Sequence, residues 1–162
     1  MSPRAASSPQ RRHLRRLTNV WTKNPIYFLT CCVCHRRPLL NSHRAAAILV
    51  GAFNESPRLY GWHVGRYVIM PDHVHFFARA QSDGKPLRDF MRDWKKWTAK
   101  QLAHAVDVEA PIWQPEFFDH VLRSADSYSE KWDYVRNNPV RAALVTTPEA
   151  WPYAGECAVL SF

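Results

Sequence analysis

The 162-residue chain lacks any apolar run approaching the ~20 residues that a helix needs to cross a bilayer. Its basic N-terminus is not followed by an apolar segment, so it does not have the pattern of a secretory signal. Internal repeats and low-complexity segments are missing as well. These absences predict one cytoplasmic domain over residues 25–162, long enough to bury a hydrophobic core and without a membrane partner.

Acidic residues are missing from residues 1–54, which contain nine Lys and Arg. The remainder holds thirteen Lys and Arg against fourteen Asp and Glu, so the net charge of +8 is an N-terminal property. Residues 1–24 also show no periodicity and are predicted to form a basic arm. Such an arm can hold a polyanion or be a solvated tail, and both interpretations stay open. Its candidate DNA contacts are Arg11, Arg12, Arg15 and Arg16.

A second cysteine pair is also lacking, although Cys31 and Cys34 form a C-x-x-C motif. The motif lies inside an apparent strand rather than at a strand-to-helix turn. Buried small side chains in a reducing compartment explain these cysteines better than metal binding or redox chemistry does.

Hydrophobic periodicity and breaker residues divide the rest of the chain into seven elements. Strands are predicted at 26–34, 62–70, 73–80 and near 119–123, and helices at 42–53, 86–106 and from 124 onward. Pro57 should terminate the first helical segment, and a short apolar tail should begin at Trp151. The order predicts an α+β, ferredoxin-like (RRM-like) antiparallel sheet with helices on one face and an extra C-terminal helix. Its first and third strands would be central.

The most informative stretch is residues 67–77, which read Tyr-Val-Ile-Met-Pro-Asp-His-Val-His-Phe-Phe. A Pro-Asp turn joins two strands there. Residues two apart on a strand share a face, so His73 and His75 project together while Val74 points away. Two neutral imidazoles on a rigid sheet make half of a metal site. The alternative is a pair of structural histidines on a half-buried strand.

The second helix carries basic residues at four-residue intervals, and its candidate DNA contacts are Arg88, Arg92, Lys95, Lys96 and Lys100. Asp89 and Asp93 interleave with them. A face that follows a phosphate backbone and an ordinary solvated face remain equally open. The chain is also rich in aromatic residues, with seven Trp, six Tyr and eight Phe, which suits base stacking as well as core packing.

Three motifs occur in a fixed order: Met70–His75 (Met-Pro-Asp-His-Val-His), Trp113–Arg123 (Trp-Gln-Pro-Glu-Phe-Phe-Asp-His-Val-Leu-Arg) and Tyr134–Arg141 (Tyr-Val-Arg-Asn-Asn-Pro-Val-Arg). Together they resemble the single-tyrosine HUH transposases, in the branch of REP-associated tyrosine transposases. The resemblance spans nearly the whole chain. It implies a metal-dependent enzyme that nicks and joins single-stranded DNA, on hairpin or palindromic repeats. In that family two histidines bind Mg²⁺ or Mn²⁺, and a helix-borne tyrosine attacks the phosphate and forms a 5′-phosphotyrosine.

Transferred to this sequence, the resemblance makes His73 and His75 metal ligands and Tyr134 the nucleophile. Tyr128 is the rival tyrosine, but six residues on a helix rotate by ~240°, so the two cannot face one site together. Asn138 is either a third metal ligand or an N-cap of the segment that follows it.

Other residues of the three motifs have simpler explanations beside the catalytic one. Arg123 and Arg141 are candidate DNA contacts, His120 is equally well a buried support, and Asp72 is sufficiently explained by the turn. The expected partner is single-stranded or hairpin DNA, bound by a monomer or a homodimer. Two other functions stay open: a non-catalytic nucleic-acid-binding module, and a two-histidine phosphodiesterase. The second would need a further His-x-Ser/Thr motif, which the sequence does not contain.

Overall fold

The computed structural model describes residues 24–162, so the predicted arm contacts Arg11, Arg12, Arg15 and Arg16 lie outside the described residues. The strands are β1 (Ile26–Cys32), β2 (Trp62–Met70), β3 (His73–Ala80), β4 (Phe118–Leu122) and β5 (Ala154–Glu156). The helices are α1 (His43–Tyr60), α2 (Leu87–Val106), α3 (Ala125–Arg136) and the single turn α4 (Asn138–Arg141). None of the helices in this part of the chain is both long and apolar enough to span a bilayer.

The five strands form one antiparallel sheet in the order β4-β1-β3-β2-β5. Its first four strands have the ferredoxin-like order, which confirms the predicted α+β fold with β1 and β3 at the centre. Thr30 of β1 lies opposite His75 of β3 on one side and opposite Phe118 of β4 on the other. Residues paired in this way share a face of the sheet, so these three form a row on one face.

The two faces of the sheet are covered by different helices. Helices α1 and α2 bury one face, where Phe53 of α1 packs against Phe76 of β3 and stacks on Trp94 of α2. Helix α3 covers part of the other face, where Tyr128 packs against Phe77. Full burial of each large apolar side chain contributes about 1.5–3 kcal/mol to folding stability. A one-residue shift in the pairing of β3 would move its alternating side chains to the opposite face, so burial fixes the register of this strand. That alternation also places the histidine pair on the α3 face.

Helix α1 continues through Pro57 to Tyr60, so the prediction that Pro57 terminates it was wrong. Proline removes one helical N–H, but Phe53 and Ser56 are buried and hold the last turns against the sheet. The helix ends instead at Gly61, whose φ of 71° is left-handed and whose N–H donates to the carbonyl of Pro57.

Strand β1 ends at Cys32, two residues earlier than predicted, because Cys34–Arg36 form a 3₁₀ turn. His35 and Arg36 both adopt left-handed backbone angles there, with φ of 58° and 55°.

Cys31 is fully buried, and burial raises the pKa of its thiol to about 12. All four cysteines are free thiols.

The C-terminal segment, predicted only as an apolar tail, adds β5 to the edge of the sheet beside β2. Trp151 is buried and its indole N–H donates to the carbonyl oxygen of Ile69 at 2.9 Å. Leu160 is also buried, on the same face as Tyr128. The three residues of β5, Ala-Gly-Glu, have no hydrophobic alternation, so the sequence gives no strand signal there.

Candidate functional site

His73 and His75 lie side by side on β3 with ring centres 4.7 Å apart. Each ring is held at Nδ1: Asp72 Oδ1 lies 2.7 Å from Nδ1 of His73, and Thr30 Oγ1 lies 2.7 Å from Nδ1 of His75. When Nδ1–H donates to an oxygen, the lone pair of the imidazole is on Nε2. In that tautomer, each ring has its Nε2 available to bind a metal.

Asp72 does more than form the turn, because its carboxylate links His73 to Arg36. The Arg36 guanidinium donates from Nε to Asp72 Oδ2 at 2.8 Å and from Nη1 to Cys32 Sγ at 2.8 Å. Burial disfavours the charged carboxylate, but the hydrogen bonds with His73 and Arg36 and the positive charge of Arg36 outweigh it and hold the pKa of Asp72 below its ordinary value. Arg36 was not identified from the sequence, since only the left-handed turn brings it here.

Burial lowers the pKa of His75 to about 3, and the nearby charges of Arg36, Lys131 and Arg141 act in the same direction. Burial also lowers the pKa of His73, against the opposing effect of Asp72. Both rings are therefore neutral at physiological pH. Neutral imidazole is the form that binds a metal ion, so no proton has to be displaced first.

The two candidate tyrosines of α3 differ sharply in exposure. Ser124 caps this helix, accepting a hydrogen bond from the backbone N–H of Ser127 in a capping box. Tyr128 is 7% exposed with its ring against Phe77, and burial raises the pKa of its hydroxyl. Tyr134 is 63% exposed. Of the two, only Tyr134 is open to a ligand from solution.

Four polar residues follow one side of α3 and α4 at spacings of three, four and three: Lys131, Tyr134, Asn138 and Arg141. Arg141 lies 4.0 Å from the ring centre of Tyr134, and its Nη2 donates to Asn138 Oδ1. The Lys131 ammonium is 5.2 Å from the ring centre of Phe28, which itself stacks on His75 at 5.3 Å. This side of the helix is therefore next to the histidine pair. Lys131 was missed, although its spacing from Tyr134 was visible in the sequence.

Asn138 is not the N-cap of α4, so that interpretation was wrong. Asn137 occupies the cap position and makes no side-chain capping bond to α4; its amide instead donates to the carbonyl of Asp133 at 2.7 Å. The side chain of Asn138 faces Arg141. Its role as a metal ligand stays a prediction.

The predicted DNA contacts on α2 lie on the opposite side of the sheet from the histidine pair. Arg92 pairs with Asp89 at 2.7 Å and Asp93 at 2.9 Å, and Lys95 donates to the backbone carbonyls of Gln114 and Pro115. The others on this helix are exposed, namely Arg88, Lys96 and Lys100. Arg123 is exposed just beyond β4, and of the predicted contacts within residues 24–162 only Arg141 adjoins the candidate site. Their binding to DNA stays a prediction.

The donor atoms present suit a divalent cation. Within residues 24–162 no group of three or more His, Cys, Asp or Glu side chains could hold a metal by itself. Two imidazole Nε2 atoms would leave coordination positions for phosphate and water, as a catalytic metal site requires. The Asn138 amide oxygen accepts a hydrogen bond from Arg141, so it would have to exchange that partner for the metal. The preference for Mg²⁺ or Mn²⁺ stays a prediction.

A family model described as "Transposase IS200 like" matches residues 22–138, which include both histidines and Tyr134. The chain belongs to the IS200-like transposase family. Among its curated relatives is the REP-associated tyrosine transposase of Escherichia coli strain K12, 30% identical over 92 residues. That match covers 56% of this chain and 52% of the relative, so the chain spans about half the length of that protein.

A longer match is to the "Putative REP-associated tyrosine transposase" of Haemophilus influenzae, 23% identical over 148 residues, covering 83% of this chain and 81% of the relative. Among solved structures, a REP-associated tyrosine transposase bound to a REP hairpin superposes with a TM-score of 0.69 at 25% identity. It covers 87% of this chain and 82% of that one. These relatives confirm the branch that the three motifs predicted.

Proposed function

We propose that this transposase-family chain is a metal-dependent single-stranded DNA endonuclease and strand transferase that uses Tyr134 as its nucleophile. The observation that carries the proposal is the arrangement of the site. An exposed tyrosine lies on the helix side that adjoins two histidines, and both of those rings are held at Nδ1. A binding module would have no use for an exposed nucleophile beside a prepared pair of ligand nitrogens.

The proposed reaction exchanges one phosphate ester for another. The Tyr134 hydroxyl oxygen forms a bond to phosphorus, the bond from phosphorus to the 3′ oxygen breaks, and the hydroxyl proton ends on the released 3′-OH. Attack by a second 3′-OH on the phosphotyrosine reverses these changes and joins new ends. No nucleotide cofactor is consumed, because every bond broken is replaced by an equivalent one.

The residues of the site supply charge and position. His73, His75 and Asn138 would hold a divalent metal, which when bound polarises the scissile phosphate and offsets its developing negative charge. Lys131 and Arg141 place two further positive charges beside the same site. These positive charges would also offset the negative charge that develops on the phosphate oxygens during the transfer.

The proposed substrate is hairpin or palindromic repeat DNA. The structural relative with the 0.69 TM-score is described as bound to a REP hairpin, and the chain covers most of that protein. Exposed aromatic residues on the α3 face, such as Phe118, suit unpaired bases beside the hairpin.

Incubating the protein with a single-stranded hairpin oligonucleotide and Mn²⁺ should give a covalent adduct that survives denaturation. Since the displaced group is the 3′ oxygen, a label on the downstream fragment should migrate with the protein and a label on the upstream fragment should not. Gel electrophoresis of the two labelled substrates measures this, with a chelator as control. An adduct carrying the upstream label would overturn the proposed polarity, and no adduct with any hairpin substrate would overturn the reaction.

Asn138 gives a test of the third ligand. Asn138→Asp keeps an oxygen at the position and should retain or strengthen Mn²⁺ binding, whereas Asn138→Ser should weaken it at least about tenfold, or ~1.4 kcal/mol. Calorimetric titration with Mn²⁺ measures both. The melting temperature of the Ser variant should stay unchanged, because Asn138 caps no helix. Wild-type metal affinity in the Ser variant would remove Asn138 from the ligand set.

A further inference from the structure

A small recess opens on the α3 face of the sheet beside the histidine pair, with a volume of about 190 Å³. We call it the edge recess, because it lies where β1 meets the edge strand β4. Its lining residues are Thr30, Cys32, Gln114, Glu116, Phe117 and Phe118. Four of these belong to the Trp113–Arg123 motif, for which the proposed reaction gives no role.

The edge recess is continuous with the candidate site. Thr30 lines it and also contacts Nδ1 of His75 at 2.7 Å. Phe118 is paired with Thr30 across the two strands, and its ring meets that of Phe28 edge-on at 6.5 Å. Phe28 in turn stacks on His75. Whatever occupies the recess therefore lies next to a phosphate bound at the histidine pair.

Residues 113–116, of which Gln114 and Glu116 line the recess, are held by hydrogen bonds from both sides. The backbone N–H of Gln114 donates to the carbonyl of Cys32 at 2.9 Å, and Lys95 of α2 donates to the carbonyls of Gln114 and Pro115. The indole N–H of Trp113 donates to Thr98 Oγ1 at 2.9 Å. A recess fixed in this way needs little ordering when a ligand binds, which favours specific recognition.

The lining combines an aromatic face with hydrogen-bonding groups. Phe118 is 44% exposed on the edge strand, so its ring is open to stacking. Glu116, Gln114 and Thr30 add a carboxylate, an amide and a hydroxyl. A carboxylate repels the DNA backbone but accepts hydrogen bonds from the exocyclic amino groups of bases. The chemistry therefore suits a base rather than a phosphate.

We propose that the edge recess binds one unpaired nucleobase bearing an exocyclic amino group, adjacent to the phosphate at the histidine pair. The base stacks on Phe118 and donates from its amino group to Glu116. The recess thereby selects the DNA sequence beside the cleavage position. This inference rests on the proposed function for the identity of the ligand as DNA, and it adds a sequence-determining subsite to it.

The test is a binding scan in chelator, where no cleavage occurs. Hairpin oligonucleotides with unpaired flanks carry a single abasic nucleotide at each flank position in turn. At one position the abasic substitution should weaken wild-type binding about tenfold. Phe118→Ala should weaken binding of the intact oligonucleotide about tenfold, and in this variant an abasic nucleotide at that one position should cause no further loss of affinity. Phe118→Tyr, which keeps an aromatic ring, should restore both the affinity and the position-specific loss.

Phe162→Ala is the matched control, because Phe162 is a comparably exposed phenylalanine, at 49%, beside Arg79 at the other end of β3. Its pattern of affinities across the abasic positions should equal that of the wild type.

At the sensitive position, replacing the base by an analogue without the amino group should weaken binding by the wild type about tenfold. Glu116→Ala should abolish that discrimination while leaving the stacking penalty in place, whereas Glu116→Gln, whose amide oxygen still accepts a hydrogen bond, should retain most of it.

The outcomes separate this inference from the proposed reaction. If Phe118→Ala weakens intact and abasic oligonucleotides by the same factor at every position, the edge recess holds no base and the inference is wrong, whether or not cleavage occurs. If the position-specific loss of affinity depends on Phe118 but Tyr134 forms no adduct, the base-binding inference is supported and the proposed cleavage reaction is overturned. A wild-type protein that binds no hairpin oligonucleotide would overturn both.

Discussion

His73→Ala and His75→Ala should each abolish cleavage of hairpin DNA while changing its affinity by no more than a few-fold. Each substitution removes one of the two proposed Nε2 ligands, so the proposed metal would lose the position in which it meets the phosphate. Affinity should survive because DNA binding depends mainly on contacts to the phosphate backbone. Single-turnover cleavage and fluorescence anisotropy with the same labelled hairpin measure the two effects.

His63→Ala is the control for these variants. His63 is a half-buried histidine on β2 that contacts the amide of Gln81 at 3.0 Å, away from the pair, and its replacement should leave cleavage intact. Full cleavage by the unmodified protein in chelator would contradict the metal hypothesis directly. Full cleavage by His75→Ala would show that His75 is not a required metal ligand, and the metal hypothesis would then have to rest on other residues.

The fold was largely predictable because its elements are strongly patterned. The bounds of β2 and β3 were predicted to the residue, since the Pro-Asp turn separates two β-prone runs. The sheet order followed from the succession of elements. Where prediction failed, tertiary packing overrode a local signal: Pro57 stays inside α1 because Phe53 and Ser56 are buried. Strand β5 has no local signal at all, since it exists only by pairing with β2.

The site was predictable only in part, for the same physical reason. Period-two spacing was enough to place His73 and His75 on one face, and the family resemblance supplied Tyr134. Arg36 could not be found in this way, since two successive left-handed residues bring it to Asp72. The contact between Thr30 and His75 depends on the register between β1 and β3, which no local pattern specifies.

Tyr134→Phe should fold and bind hairpin DNA normally yet form no covalent adduct. The substitution removes one oxygen and keeps the ring on which Arg141 stacks at 4.0 Å, so the site around it should persist. Adduct formation should fall below detection rather than by a modest factor, because the bond to phosphorus requires that oxygen. Denaturing electrophoresis with the downstream label measures the adduct, and anisotropy in chelator measures binding.

Tyr128→Phe is the matched control on the same helix. Its ring is 7% exposed against Phe77, so loss of its hydroxyl should change stability by about 1 kcal/mol at most and leave the adduct intact. If Tyr128→Phe abolishes the adduct and Tyr134→Phe does not, helix α3 must turn or open on DNA binding and the nucleophile is Tyr128. If both variants form the adduct, the attacking group is not a tyrosine of α3. If the wild type forms none under the same conditions while binding the hairpin, the chain is a binding module, and the exposure of Tyr134 serves stacking against DNA instead of chemistry.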